Sequence, residues 1–183
     1  MSDHIVPAQP KSDGRLTRAL IVCAIVIAVI GVSAGPSGLR DILARFQEGR
    51  LHAPNLALIA AAPLIVQLHL ATVLVGFAIG AVQMLGAKGT AMHRAMGWTF
   101  VAFLTFTALD ALLIKNGPVW TPNPIQLFSL MALTALPIGV IAARRHNVAA
   151  HARTMTGLFW GGLMLAGLLT FIPGRLMWRV FFG

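Results

Sequence analysis

Two pairs of residues in this chain are of types that could do chemistry at the spacing they have. The first is His69 and Asp110, each set inside a run of apolar residues. An ionisable group within a membrane span is costly, and it is retained chiefly where it binds something, relays a proton or finds a partner. His69 lies 16 residues before Leu85, where its apolar run ends, and Asp110 lies 17 residues after His93, where the next begins. At the helical rise these are about 24 Å and about 25 Å. On antiparallel neighbours the two groups therefore share a depth, and a hydrogen bond between them leaves neither unpaired. The chemical reading is proton handling or ligand binding. The plainer one is a structural bond between helices, or an Asp110 that reaches outward towards Lys115.

The second pair is His93 and His151, which open two similar stretches, His93-Arg94-x-Met96-Gly97 and His151-x-Arg153-x-Met155-x-Gly157. Two imidazoles from different helices are an accepted axial set for haem b, and Arg94, Arg153 or Lys88 would meet the propionates. The plainer reading is that histidine, like arginine, decorates turns at headgroup level, as His146 would. Depth counts against haem, since both histidines stand at the very start of their spans and the group would be shallow and wet. A zinc ion held by His93, His146 and His151 has no HExxH or comparable ligand spacing behind it.

Glycines shape the faces between these groups. Gly76 and Gly80 are four apart, as are Gly157 and Gly161, with Gly162 adjacent. Small residues at that spacing let membrane helices approach closely. His69, Gly76, Gly80 and Gln83 fall within about 40° of one helical face, so that face points into a bundle. Packing explains the glycines; a flat cofactor such as haem, or a quinone, would need the same space. His69, Gln83 and Asp110 are thus the ligand or proton-handling candidates, and His93 and His151 the haem or metal candidates. Arg94 and Arg153 are their charge partners.

The elements that must position these residues are membrane helices. Of 183 residues 57% are apolar and 10% charged, with mean hydropathy +0.81, whereas soluble domains carry about a quarter charged residues. A chain this small cannot bury several long apolar helices on all sides in water. Residues 1–18 read as a polar cytoplasmic tail. Residues 19–34 read as a first transmembrane helix, or as a signal segment ending in Val32-Ser33-Ala34. Residues 38–52 place Leu39, Ile42, Leu43 and Phe46 at helical spacing and predict an amphipathic interfacial helix. Residues 56–175 form a four-helix core of two hairpins, with spans at 56–85, 93–114, 125–143 and 154–172. Pro137 should kink the third. Residues 176–183 are an interfacial tail anchored by Trp178 and Arg179. The two hairpins, each rising through His, Arg, Met and Gly, resemble a repeat.

The net charge of +9 sits at the ends of apolar runs, where it holds helix termini at headgroups and contacts lipid. No basic, aromatic-rich surface remains for nucleic acid. Lys88, Arg94, Arg144, Arg145 and Arg153 mark one side as cytoplasmic, giving an inside N-terminus and an outside C-terminus. The single cysteine, Cys23, excludes an internal disulfide. There is no G-x-S-x-G, Walker loop or dinucleotide fingerprint, and carboxylates are scarce, so a conventional enzyme is not expected.

His69, Gly76 and Gln83, followed by His93-Arg94-x-x-Gly97, then His151 with Arg153 and Met155 and a later Arg175, resemble a bacterial family of predicted membrane proteins that carries a domain-of-unknown-function label. The likeness covers about residues 56–175 and implies a four-helix core in the cytoplasmic membrane. The arrangement is also distantly similar to the four-helix bundles of membrane b-type cytochromes, from which it departs by lacking histidines well inside the last two spans. The expectation is an all-α polytopic bundle of five helices in the bacterial inner membrane. Its leading role is a non-enzymatic accessory, assembly or small-ligand-binding subunit, with a membrane protein partner or a second copy of itself. A haem b electron-transfer protein is the alternative, and a small proton-coupled transporter the third reading.

Overall fold

The computed structural model describes residues 40–114 and 124–183, together with Gly31 and Gly38, both helical. The chain divides into a unit Met1–Leu39 and a unit Arg40–Gly183; the second holds the bundle. The rest of the helix expected at 19–34, and the loop at 115–123 with Lys115 and Trp120, lie outside the described residues.

Every regular element among the described residues is helical. Residues 40–48 form α1. Then come α2 (Leu56–Ala60), α3 (Leu64–Leu85), α4 (Ala91–Leu113), α5 (Pro124–Arg144) and α6 (Val148–Gly157). A π-helical segment, Leu158–Met164, continues α6 into α7 (Leu165–Leu169), and α8 (Leu176–Phe181) follows. Leu64–Leu85, Ala91–Leu113 and Ile125–Arg144 are long and apolar enough to cross a membrane. Their outer faces carry exposed Leu74, Val82, Phe106, Leu127 and Ile138, surface that a bilayer accepts and water does not. The composite α6–π–α7 rod is the fourth member of the bundle.

One expectation needs correction. The run at 56–85 is not one span, because the helix stops after Ala60 and restarts at Leu64. Pro63 lacks the N–H an uninterrupted helix needs there and takes the position just before α3. Gln67 Nε2 donates to the carbonyls of Ala60 (3.1 Å) and Ala62 (2.7 Å), meeting acceptors that the break leaves open. The terminal residues, expected as an anchored tail, form the short helix α8. Trp178 and Val180 of α8 are buried, and Trp178 stacks on Phe182 at 4.7 Å and meets Phe46 of α1 edge-on at 4.8 Å. Arg50, His52 and Asn55 donate backbone bonds to the carbonyls of Phe182, Phe181 and Val180, tying the stretch after α1 to this end of the chain. α5 runs as one helix through Pro137.

The packing order is α3 on α4, α4 on α5 and α5 on α6, with the π-helical segment touching both α5 and α3 to close the ring. α4 and α6 therefore stand at opposite corners. An apolar layer of Phe100, Leu104, Ala132, Leu136, Leu158, Phe159 and Leu163 fills the middle. One cavity lies on either side of it.

Candidate functional site: two cavities divided by an apolar layer

The larger cavity, about 420 Å³, is at the end of the bundle where the α3–α4 and α5–α6 turns lie. Local sequence explains how two histidines reach it. Thr90 caps α4, its hydroxyl accepting from the backbone N–H of His93 at 3.0 Å, which sets His93 in the first turn with its side chain inward. The α5–α6 turn is a Schellman closure, with His146 N–H to the Ala143 carbonyl and Asn147 N–H to that of Ala142. His146 has φ 55°, the left-handed position such a closure requires. Asn147 then caps α6 through Ala150 N–H at 3.1 Å, and His151 follows in the next position.

The rings of His93 and His151 face one cavity from opposite corners of the bundle, with centroids 6.4 Å apart and planes at 87°. His151 Nδ1 lies 2.9 Å from the Gly139 carbonyl. Only an N–H can pair with that oxygen, so Nε2 is the basic nitrogen. His93 Nδ1 is buried and has no hydrogen-bond partner. Gln83 Nε2 donates to the His93 carbonyl at 2.9 Å and bolts α3 to the start of α4. Arg94, Arg144, Trp98 and Met155 complete the polar and soft parts of the lining. Arg144 stands over the Trp98 ring at 5.9 Å, and Arg94 also donates to the Gly89 carbonyl. Lys88 is turned away, bonding the carbonyls of Met84 and Gly86. Arg153 and His146 are exposed and do not line the cavity.

The smaller cavity, about 100 Å³, lies beyond the apolar layer. His69 Nδ1 is 2.6 Å from Asp110 Oδ1, joining α3 to α4, and Asp110 is 4% exposed. Thr72 Oγ1 is 3.4 Å from Asp110 Oδ2 but closer, at 3.0 Å, to the carbonyls of Leu68 and His69. His69 lines the cavity together with Thr107, Ser129, Thr170 and Arg175. Ser129 bonds the Ile125 carbonyl and Thr170 that of Gly167, whereas Thr107 Oγ1 is buried without a partner. Burial pushes the Arg175 guanidinium below its ordinary value.

The glycines divide in an unforeseen way. A Cβ on Gly80 would stand 2.7 Å from Phe159 and 2.9 Å from Phe100, while Gly76 makes only ordinary contact, at 4.0 Å with Phe103. A Cβ on Gly157 or Gly161 would meet nothing within 4 Å among the described residues, so neither makes a close helix contact there. The face read as one is also two: His69 lines the smaller cavity, Gly80 and Gln83 the larger. Trp98 and Arg144 had no signal beyond an aromatic near a turn and a basic helix end.

Apolar helices of spanning length packed around an apolar core, all-helical among the described residues, define an integral membrane protein. The chain belongs to the family described as "Predicted membrane protein (DUF2306)", whose model matches residues 66–181. No curated protein and no solved structure matches it.

Proposed function

We propose that this chain is a small-ligand-binding subunit of the cytoplasmic membrane and that its ligand is haem b, held between His93 and His151 for electron transfer. The observation that carries this reading is the convergence of these two rings, from opposite corners of the bundle, on one cavity. Their centroids are 6.4 Å apart, so one group between them would be held by both side chains. Among the described residues no three His, Cys, Asp or Glu come together, so a bare ion would lack ligands. Haem would need only two protein ligands, which His93 and His151 would supply.

The remaining residues fit the same group. The His151 Nδ1–H bond to Gly139 is the outer-shell bond that orients a ligating imidazole and raises its basicity. Arg94 and Arg144 supply positive charge for carboxylates, and Trp98 and Phe100 apolar walls. The volume of about 420 Å³ is in the range of about 300–1,000 Å³ usual for ligand sites. Haem, when bound, supplies one-electron redox chemistry; the protein holds, orients and shields it. The basic turns support a cytoplasmic position for this end.

The test is a dithionite-reduced minus oxidised spectrum of protein purified in mild detergent from cells supplied with a haem precursor. A b-type band near one haem per chain is expected, lost in His93→Ala and His151→Ala and kept in Arg153→Ala. A flat wild-type spectrum overturns the reading.

A further inference from the structure

We infer that α1, the stretch after it and α8 form one platform that binds anionic phospholipid headgroups at the membrane surface. This stands independently of haem in the larger cavity. The interfacial helix and the terminal tail expected from sequence are one unit, joined by three aromatic rings. Trp178 meets Phe46 of α1 at 4.8 Å and stacks on Phe182 at 4.7 Å. A Cβ on Gly49 would stand 2.5 Å from the Trp178 ring, so a glycine just after α1 lets the indole lie against the backbone there. Arg50, His52 and Asn55 donate backbone bonds to the carbonyls of Phe182, Phe181 and Val180 at 3.2, 3.0 and 2.9 Å. α2 packs on α8 and leads into α3, so the platform lies at the end of the bundle where that span begins.

Charge and exposure choose the occupant. Arg45 and Arg179 adjoin Phe46 and Trp178 in the chain, and Arg50 is bonded through its backbone to Phe182. All three are exposed, and none of their guanidinium groups has an ion pair or hydrogen bond among the described residues. Residues 40–55 and 175–183 hold five arginines against Asp41 and Glu48, a clear positive excess. Beside that charge Leu43, Leu51 and Leu56 are 56%, 74% and 65% exposed, and exposed Leu64 and Leu68 carry the same apolar surface onto the α3 span. A soluble acidic partner would match the arginines but not leucines that lead onto a lipid-facing helix. A phospholipid matches both: its phosphate pairs with guanidinium groups, and its upper acyl chain covers the leucines. The long arginine stems let the charged heads stay at headgroup level while the backbone lies lower. A zwitterionic headgroup would bring its own ammonium among the guanidinium groups, so a lipid of net negative charge is favoured.

The experiment reads lipid at α1 itself. The full chain carrying Cys23→Ser and Leu43→Cys is labelled at position 43 with a nitrobenzoxadiazole fluorophore. It is reconstituted in vesicles of equal parts phosphatidylglycerol and phosphatidylcholine, with a nitroxide quencher on the acyl chain of one lipid or of the other. Labelled phosphatidylglycerol should quench about threefold more than labelled phosphatidylcholine at about 0.1 M salt, and the two should converge at about 1 M. Arg45→Gln, Arg50→Gln and Arg179→Gln together should abolish the difference, whereas Arg45→Lys, Arg50→Lys and Arg179→Lys, which keep the charge, should retain it. The inference is overturned if neither lipid quenches, if both quench equally at low salt, or if the glutamine variant keeps the difference. The salt comparison needs no arginine variant, so the test survives a glutamine variant that fails to fold: a difference undiminished at about 1 M salt also overturns the inference.

Discussion

The two cavities draw on the same residue types and leave them in opposite states. In the smaller one His69 has a carboxyl partner, Asp110, across a helix interface at 2.6 Å. In the larger one two histidines face each other at 6.4 Å, one bonded to a backbone carbonyl and the other with a stranded nitrogen. The first pair braces the bundle whether or not anything binds. The second pair makes no hydrogen bond between its two rings among the described residues. An ionisable residue in a span therefore says less about function than whether its lone pairs and protons already have partners.

The contrast is sharpest in stability. His69→Leu strands the buried Asp110 carboxylate and should cost about 3 kcal/mol, measured by reversible unfolding in mixed micelles. Asp110→Asn, which keeps a hydrogen-bonding group, should cost about 1 kcal/mol. His93→Ala and His151→Ala, in protein without added haem, should also stay near 1 kcal/mol. If either of these matched His69→Leu, the distinction between a bracing pair and a waiting pair would collapse.

The middle layer is the next place to press. Gly80→Val forces its new methyls into Phe159 and Phe100 and should cost about 2 kcal/mol as overpacking, read by the same unfolding assay. Gln83→Leu removes one interhelical bond and should cost about 1 kcal/mol; its effect on the reduced haem band should exceed that of Gly80→Val, because Gln83 holds the start of α4. The smallest effect belongs to Gly157→Ala, neutral to stabilising by less than about 1 kcal/mol, since a Cβ there meets open space. A large loss at Gly157 would mean that the face is covered by a partner, and would move attention from the cavities to an interface.

The His69–Asp110 bond was legible because depth along a helix is counted in residues at a constant rise. That His93 and His151 open α4 and α6 was legible too, from the basic turns ahead of them, whereas the Thr90 and Asn147 caps that set them in the first turns emerged only from the structure. Rotation about the helix axis was not. Four-residue glycine spacing predicts a shared face only in an unbroken α-helix, and Leu158–Met164 is π-helical. Nor could the sequence separate Gln83 from His69, which lie on one face by angle but beside different cavities. The break at Pro63 was hidden by hydrophobicity, because apolar residues flank it on both sides.

Composition, run length and the residues at helix starts sufficed to determine a helical membrane protein with two histidines at one end of the bundle and a His–Asp pair near the other. These are local or additive properties, and each can be summed along the chain. Only the tertiary structure decided that α4 and α6 stand opposite each other, so that His93 meets His151 while His146 and Arg153 turn outward. It also decided that Phe159 packs on Gly80, so that an apolar layer divides the interior in two. Those outcomes depend on which distant side chains fill the space between helices, and a helix in lipid has the same apolar surface to offer in every direction.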